Sequence, residues 1–109
     1  MDQLFEVKLL RIAHEDVESI YCWLLKRSPI GANRWYLAFQ EAAMDLSREP
    51  ERFGLAPEAN ELTEAVRQRL FKTSAGRSYR ILFLIVDAEV LVLRVRGPGQ
   101  KMVQLADLE

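Results

Sequence analysis

The spacing of hydrophobic residues changes along this chain of 109 residues, from a helical period to a strand period. Between Glu15 and Leu46, apolar residues recur three, four and seven positions apart, the spacing that buries one stripe of an α-helix. From Val66 onward, they form short β-branched runs separated by turn-forming residues, which is typical of strands. We therefore predict an α+β fold, in one domain spanning residues 1–109.

Turn and capping residues divide this pattern into six main elements in the order β-α-α-β-β-β. Ser28 is a favoured N-cap residue and Pro29 a favoured first helical residue, so two helices should form an antiparallel hairpin. We expect this hairpin to pack on a small, mainly antiparallel sheet. The predicted strands are Leu4–Ile12, Val66–Thr73, Tyr79–Val86 and Val90–Val95; the helices run from about Glu15 and from Ser28 to before Pro50, with a short helical turn at Glu61–Ala65.

Several classes of protein are excluded by what the sequence lacks. The only cysteine is Cys22 and the only histidine is His14, so we expect no internal disulfide, no metal site and no cofactor. No apolar run approaches the ~20 residues of a membrane span. Since no signal peptide is recognisable either, we expect a cytoplasmic protein that does not bind membranes.

Charge is divided unevenly along the chain, although the net charge is only −1. Residues 66–101 contain eight basic and two acidic side chains, whereas residues 1–65 contain seven basic and twelve acidic ones. A cationic sheet beside an acidic helical half predicts an anionic or acid-bearing partner. The basic residues of the β-rich part are Arg67, Arg69, Lys72, Arg77, Arg80, Arg94, Arg96 and Lys101.

The register of the last two strands decides whether three of these arginines meet. If residues 87–89 form a three-residue turn, Arg80 lies directly across from Arg96, and Leu82 lies across from Arg94. Directly opposed residues share a face of the sheet, and like charges there repel. We then expect a cationic cluster with no internal acid to neutralise it.

Two alternatives remain open at this point. A tight two-residue turn would instead pair Ile81 with Arg96 and move Arg80 to the other face. The arginines could also simply solvate an exposed face and discourage edge pairing.

Trp23 lies off the buried helical stripe, so it could belong to a partner-binding surface or pack against the loop.

The order and spacing of several segments resemble the RelE/ParE toxin superfamily of bacterial type II toxin–antitoxin systems. The resemblance covers residues 4–97, and the Tyr79-Arg80 pair with its apolar continuation is the most specific part. The matching segments are Glu15–Ile20, the second helix with Pro29, Ala32, Ala42, Leu46 and Pro50, the Arg67-x-x-Leu70 spacing, Ser78–Phe83 and Val90–Val95.

This resemblance implies a small α+β toxin that a cognate antitoxin neutralises. RelE-like members cleave mRNA on the ribosome, whereas ParE-like members inhibit DNA gyrase by protein–protein contact. In a RelE-like endoribonuclease, Arg80 would stabilise the phosphate, and Arg94 or Arg96 would match the arginine of the last strand. Lys72 is the only lysine on the second strand, where that family carries more than one.

Two departures favour the ParE-like alternative. No tyrosine or histidine follows Arg96, where RelE-like nucleases place a proton-transfer residue. The chain is also acidic overall, with a pI near 5.9, whereas ribosome binding favours basic proteins. An inactive relative that acts only as a binding module is a further alternative.

The expected partners follow from the same resemblance. We expect an antitoxin that docks a helix into an apolar groove or adds an edge strand, and no sequence-specific DNA binding. The candidate residues for binding the partner or target are Arg67, Arg69, Lys72, Arg77 and Trp23.

Overall fold

The computed structural model describes residues 3–60, 64–73 and 76–98 of the chain. It has two α-helices, four strands and two short 3-10 helices among these residues. The elements are β1 (Glu6–Leu9), α1 (Arg11–Leu25), α2 (Pro29–Asp45), the 3-10 helices Pro50–Arg52 and Pro57–Asn60, β2 (Arg67–Phe71), β3 (Tyr79–Val86) and β4 (Glu89–Arg96).

The strands form one mixed sheet in the order β1-β4-β3-β2. The two hairpin connections make β2, β3 and β4 antiparallel, and β1 pairs parallel to β4. Two helices pack on this sheet, so the predicted α+β fold and its element order are confirmed. Neither helix is long and apolar enough to cross a membrane.

The second helix of the hairpin, α2, begins at the residue that the sequence predicts. The Ser28 hydroxyl accepts a hydrogen bond from the backbone N–H of Gly31 at 3.0 Å, and Pro29 is the first helical residue. This cap satisfies one of the amides that a helix start leaves without an intrahelical partner. The predicted apolar face of α2 is buried against the sheet through Trp35, Phe39 and Leu46.

The first strand is shorter than predicted, and the first helix begins earlier. β1 ends at Leu9, and α1 starts at Arg11, so the end of the predicted strand Leu4–Ile12 is helical. The Leu10 amide still donates to the Val92 carbonyl at 3.0 Å, after which the chain leaves the sheet. The helix starts early because Ala13, which is fully buried, already belongs to the helical stripe.

Other predicted boundaries shift by one or two residues. β2 is shorter than the predicted Val66–Thr73, β4 extends the predicted Val90–Val95 at both ends, and β3 matches its prediction. The helical turn predicted at Glu61–Ala65 lies largely outside the described residues. Pro57–Asn60 forms a short helix that the sequence did not predict.

The β3–β4 hairpin combines a tight turn with a β-bulge. The turn has two residues, Asp87 and Ala88, so the predicted three-residue turn is wrong. Asp87 takes a positive φ of 55°, a conformation that aspartate tolerates better than most residues. The extra residue Leu93 then shifts the register by one, and Arg80 pairs with Arg96. The alternative two-residue turn is therefore the one observed, but the pairing of Ile81 with Arg96 that it implied is wrong.

Each face of the sheet is covered. The helical face carries the larger core, in which Ile81, Phe83 and Val92 pack beneath the two helices. The opposite face carries a smaller cluster formed by Ala56, Val66, Leu82 and Leu93. The segment before β2 lies across this second face, because the Ala56 amide donates to the Val66 carbonyl at 2.8 Å.

Candidate functional site

Arg80, Arg94 and Arg96 lie together at one end of the β3–β4 hairpin. Arg80 is directly opposed to Arg96, and Arg94 is opposed to Leu82; these are the pairs expected for a three-residue turn, but the two-residue turn and the bulge produce them. Opposed positions share a sheet face, so Arg80 and Arg96 extend to the face opposite the main helical core. All three side chains are partly buried.

Arg80 is held by a carboxylate from the segment that covers this face. Its two terminal nitrogens donate to the two Glu58 oxygens at 2.9 and 2.8 Å. The first of these nitrogens also donates to Gln68 Oε1 at 3.1 Å. Glu58 is fully buried, while the Arg80 side chain is 21% exposed. A bidentate pair of this kind fixes the guanidinium in one orientation.

Arg94 is held by a carboxylate from the helical layer. Arg94 Nε and a terminal nitrogen donate to the two Asp16 oxygens at 2.7 and 2.9 Å. Asp16 also accepts from the Val95 amide at 3.0 Å. Because β1 ends at Leu9, this part of β4 has no neighbouring strand on that side, and Asp16 replaces the missing acceptor.

The expectation that no internal acid neutralises this cluster is therefore wrong. The two acids come from the acidic part of the chain, 22 residues before Arg80 and 78 residues before Arg94. Neither separation carries a local sequence signal. The Pro57-Glu58 dipeptide gives only a weak signal for the position of Glu58, because proline and acidic residues favour the start of a helical turn.

Arg67 and Arg69 share a face of the sheet, because they are two residues apart on β2, but it is not the face of Arg80. They are paired with Phe83 and Ile81, whose side chains belong to the helical core. Arg67 donates to the carbonyl of Phe53 at 2.7 Å and to that of Glu51 at 3.2 Å. These contacts anchor the segment that follows α2.

Arg69 belongs to a second group of charges at the end of α2. Its Nε atom lies 3.3 Å from Asp45 Oδ2, and Arg52 donates to Asp45 Oδ1 at 2.6 Å. Both guanidinium groups lie over the Phe53 ring, at 4.5 Å for Arg52 and 5.5 Å for Arg69. Arg69 is thus engaged within the fold, like Arg67.

The remaining candidates are solvent-exposed. Lys72 and Arg77 flank the β2–β3 connection, and neither forms an ion pair within the described part of the chain. Trp23 is 52% exposed near the end of α1, and the Arg27 guanidinium stacks 3.6 Å from its ring centroid. Trp23 therefore lies in the helical layer, whereas Lys72 and Arg77 lie at one end of the sheet.

Tyr79 belongs to the aromatic core and does not extend beside Arg80 toward solvent. Its ring contacts Trp35 edge-on at 5.4 Å and Phe71 at 5.7 Å. Burial raises the pKa of the Tyr79 hydroxyl above its ordinary value of 10.0, because the phenolate is poorly solvated there. The hydroxyl is thus a weaker acid than an exposed tyrosine.

An apolar groove opens between β1 and the two helices. It has a volume of about 580 Å³. Its floor is formed by Val7, Val17 and Phe39, which belong to or pack against the main core. The other lining residues are Phe5, Leu9, His14, Tyr36, Gln40, Ala43, Met44 and Ser47.

The described residues include no group of three or more His, Cys, Asp or Glu side chains that could hold a metal ion. In comparisons with known proteins, no family model matches the chain and no curated protein matches it significantly.

Proposed function

We propose that this chain is the toxin of a bacterial type II toxin–antitoxin system, neutralised by a cognate antitoxin. The resemblance over residues 4–97 supports this proposal, and the α+β element order agrees with it. Within that superfamily, we propose a cytoplasmic ParE-like toxin that inhibits DNA gyrase by protein–protein contact. Growth inhibition and plasmid stabilization are the expected consequences.

The ion pair between Glu58 and Arg80 carries the choice of the ParE-like function. A nuclease of the RelE type needs Arg80 to stabilise the charge that develops on a phosphate. Here a fully buried carboxylate already occupies the guanidinium through two hydrogen bonds. A phosphate would have to displace Glu58 from Arg80, which would break both of these charge-assisted hydrogen bonds.

The chemistry of proton transfer supports the same choice. Tyr79 is the tyrosine nearest to Arg80 in sequence, and its raised pKa and aromatic contacts make it a poor general acid or base near neutral pH. Tyr21 and Tyr36 lie on the helices, and the Tyr21 hydroxyl donates to Asn33 at 2.9 Å. A gyrase inhibitor that acts by contact needs no such group.

The apolar groove is the proposed site for an antitoxin helix. Its floor residues Val7, Val17 and Phe39 offer apolar contacts, and amphipathic helices bind such grooves through residues spaced by three and four. Co-expression with the neighbouring small open reading frame, followed by a pull-down, tests this part. Failure to recover a stable complex would count against it.

A supercoiling assay with purified gyrase tests the proposed target. We expect micromolar toxin to inhibit supercoiling, and the double variant Lys72→Glu/Arg77→Glu to inhibit it less, because these exposed cations are available for an acidic partner. Arg11→Glu/Arg34→Glu, which likewise reverses two exposed charges but in the helical layer, is the matched control. Unaffected supercoiling at micromolar toxin would end the proposal.

One observation favours a RelE-like endoribonuclease as the second candidate. Arg80 and Arg96 are directly opposed on one face of the sheet, the arrangement that two phosphate-stabilising arginines would need. Toeprinting on translating ribosomes would then reveal cuts that disappear in Arg80→Ala. Intact message would exclude this candidate, and normal growth after induction without an antitoxin would favour an inactive relative.

A further inference from the structure

One face of α2 carries large apolar side chains in contact with solvent. Ile30, Leu37 and Met44 follow one another at intervals of seven residues and are 68%, 61% and 74% exposed. Seven residues are nearly two helical turns, so the three side chains form one row along the helix. The buried residues Trp35 and Phe39 lie on the opposite side of α2.

This row, which we call the α2 stripe (Ile30, Leu37 and Met44), supplies one of the two positions that each heptad of a helix-pairing seam contains, and the polar Asn33 and Gln40 occupy the other. Apolar residues every seven positions align along a partner helix, and polar residues on both sides select that partner. Arg34 and Glu41 lie on one side of the α2 stripe. Both are exposed, and neither forms an ion pair with another residue of the described segments.

Ile30 and Met44 lie seven residues on either side of Leu37, and Arg34 and Glu41 lie three residues before and four residues after it. In an antiparallel pair of α2 helices related by a two-fold axis at Leu37, Ile30 packs against the partner's Met44. This two-fold axis is perpendicular to both helices, so the side of the stripe that carries Arg34 and Glu41 meets the same side of the partner helix. Arg34 therefore faces the partner's Glu41, and the same contact occurs twice.

A parallel pair would lack these ion pairs. Its two-fold axis would run along the helices, so the side that carries Arg34 and Glu41 would face the partner's other side, which carries the uncharged Asn33 and Gln40. The pattern of charges therefore selects the antiparallel arrangement. We propose that the α2 stripe is a homodimer interface, in which a second copy of this chain binds antiparallel across Leu37.

The proposed dimer goes beyond the toxin function and does not depend on it, and the two proposals share Met44, which also lines the apolar groove. The two helical layers would meet at the centre, and the sheets with Arg80 would face outward at both ends. A single pair of helices buries less than the ~1,200 Å² typical of stable interfaces. We therefore expect a weak dimer that dissociates on dilution and is weakened by salt.

Sedimentation equilibrium of the full chain over a range of concentrations tests the apolar part of the interface. The wild type should approach a dimer as concentration rises, and Leu37→Glu should remain a monomer, because two carboxylates would meet at the axis. Leu55→Glu is the matched control, since Leu55 is 56% exposed and lies outside α2. Far-ultraviolet circular dichroism must show that each variant is folded.

A charge exchange tests the antiparallel register. Arg34→Glu alone and Glu41→Arg alone should each weaken the dimer by about tenfold at low ionic strength, because two attractions become two repulsions. The double exchange Arg34→Glu/Glu41→Arg should restore the wild-type dissociation constant. The proposal is overturned if the folded wild type stays monomeric, if Leu37→Glu still dimerises, or if the double exchange is as weak as the single ones.

Discussion

The two faces of the sheet are stabilised in different ways. The helical face packs Trp35, Phe39 and Phe83 into a continuous aromatic and aliphatic core. The opposite face has a small apolar cluster, beside which Glu58 and Arg80 form a largely buried ion pair. In an apolar core, any truncated side chain leaves a cavity that lowers stability. In a buried ion pair, stability falls chiefly when one partner is removed and the other remains.

The largest expected loss of stability follows from a cavity on the helical face. Phe83 is fully buried, and its ring contacts Phe53 edge-on at 6.2 Å. Phe83→Ala should lower the free energy of unfolding by about 4 kcal/mol, measured by urea denaturation. A loss below about 1 kcal/mol would mean that this core is not close-packed.

The opposite face should respond to single and double replacements differently. Glu58→Leu leaves Arg80 without its carboxylate and should lower the free energy of unfolding by about 3 kcal/mol, reduced somewhat because Arg80 is partly exposed. The double variant Glu58→Leu/Arg80→Met should recover most of this loss. If the double variant is no more stable than the single one, the ion pair is not what distinguishes the two faces.

The same double variant separates the two candidate functions. A ParE-like inhibitor should retain its effect on gyrase supercoiling without Arg80, provided that the fold is intact. A RelE-like nuclease should lose message cleavage completely, because the phosphate stabiliser is gone.

A smaller effect is expected where the helical layer meets the edge of β4. Asp16→Ala removes a carboxylate that accepts hydrogen bonds from both Arg94 and the Val95 amide. The free energy of unfolding should fall by about 2 kcal/mol. Glu18→Ala, an exposed acid on the same helix, should change it by less than about 0.5 kcal/mol. Equal effects would show that Asp16 contributes only as a surface charge.

The smallest prediction concerns alkaline pH. The pKa of Tyr79 is raised by burial, so the folded state keeps the proton that the unfolded state loses above pH 10. Stability should therefore fall as the pH rises beyond 10, and Tyr79→Phe should flatten this fall. Urea denaturation at pH 9 and pH 11 would measure it, and an unchanged slope in Tyr79→Phe would contradict the assignment.

The fold was largely predictable because its signals are local. The Ser28-Pro29 cap and the apolar run Tyr79–Val86 each specify an element within a few residues, and both are confirmed. The boundary at Arg11 was missed because Leu9, Leu10 and Ile12 are apolar in either conformation. Only pairing with β4 decides where β1 ends.

The candidate site was less predictable because its partners are distant in sequence. The opposition of Arg80 and Arg96 was expected only for a three-residue turn; it occurs with a two-residue turn because the bulge at Leu93 shifts the register. No periodicity could identify Glu58 as the counter-ion of Arg80, or Asp16 as the counter-ion of Arg94. Tertiary packing brings these carboxylates to the sheet. Burial of Arg67 and Arg69 on the helical side likewise depends on the path of residues 46–56.

The bulge at Leu93 has a consequence for how the length of this hairpin can vary. A regular ladder closed by the Asp87-Ala88 turn would need one residue fewer to bring Arg96 opposite Arg80. Losing the residue at the bulge would keep every later side chain of β4 on its present face. Homologous chains could therefore differ by one residue between the Tyr79-Arg80 pair and the last arginine while keeping the two arginines opposed. Alignments that count positions from the turn would misassign them.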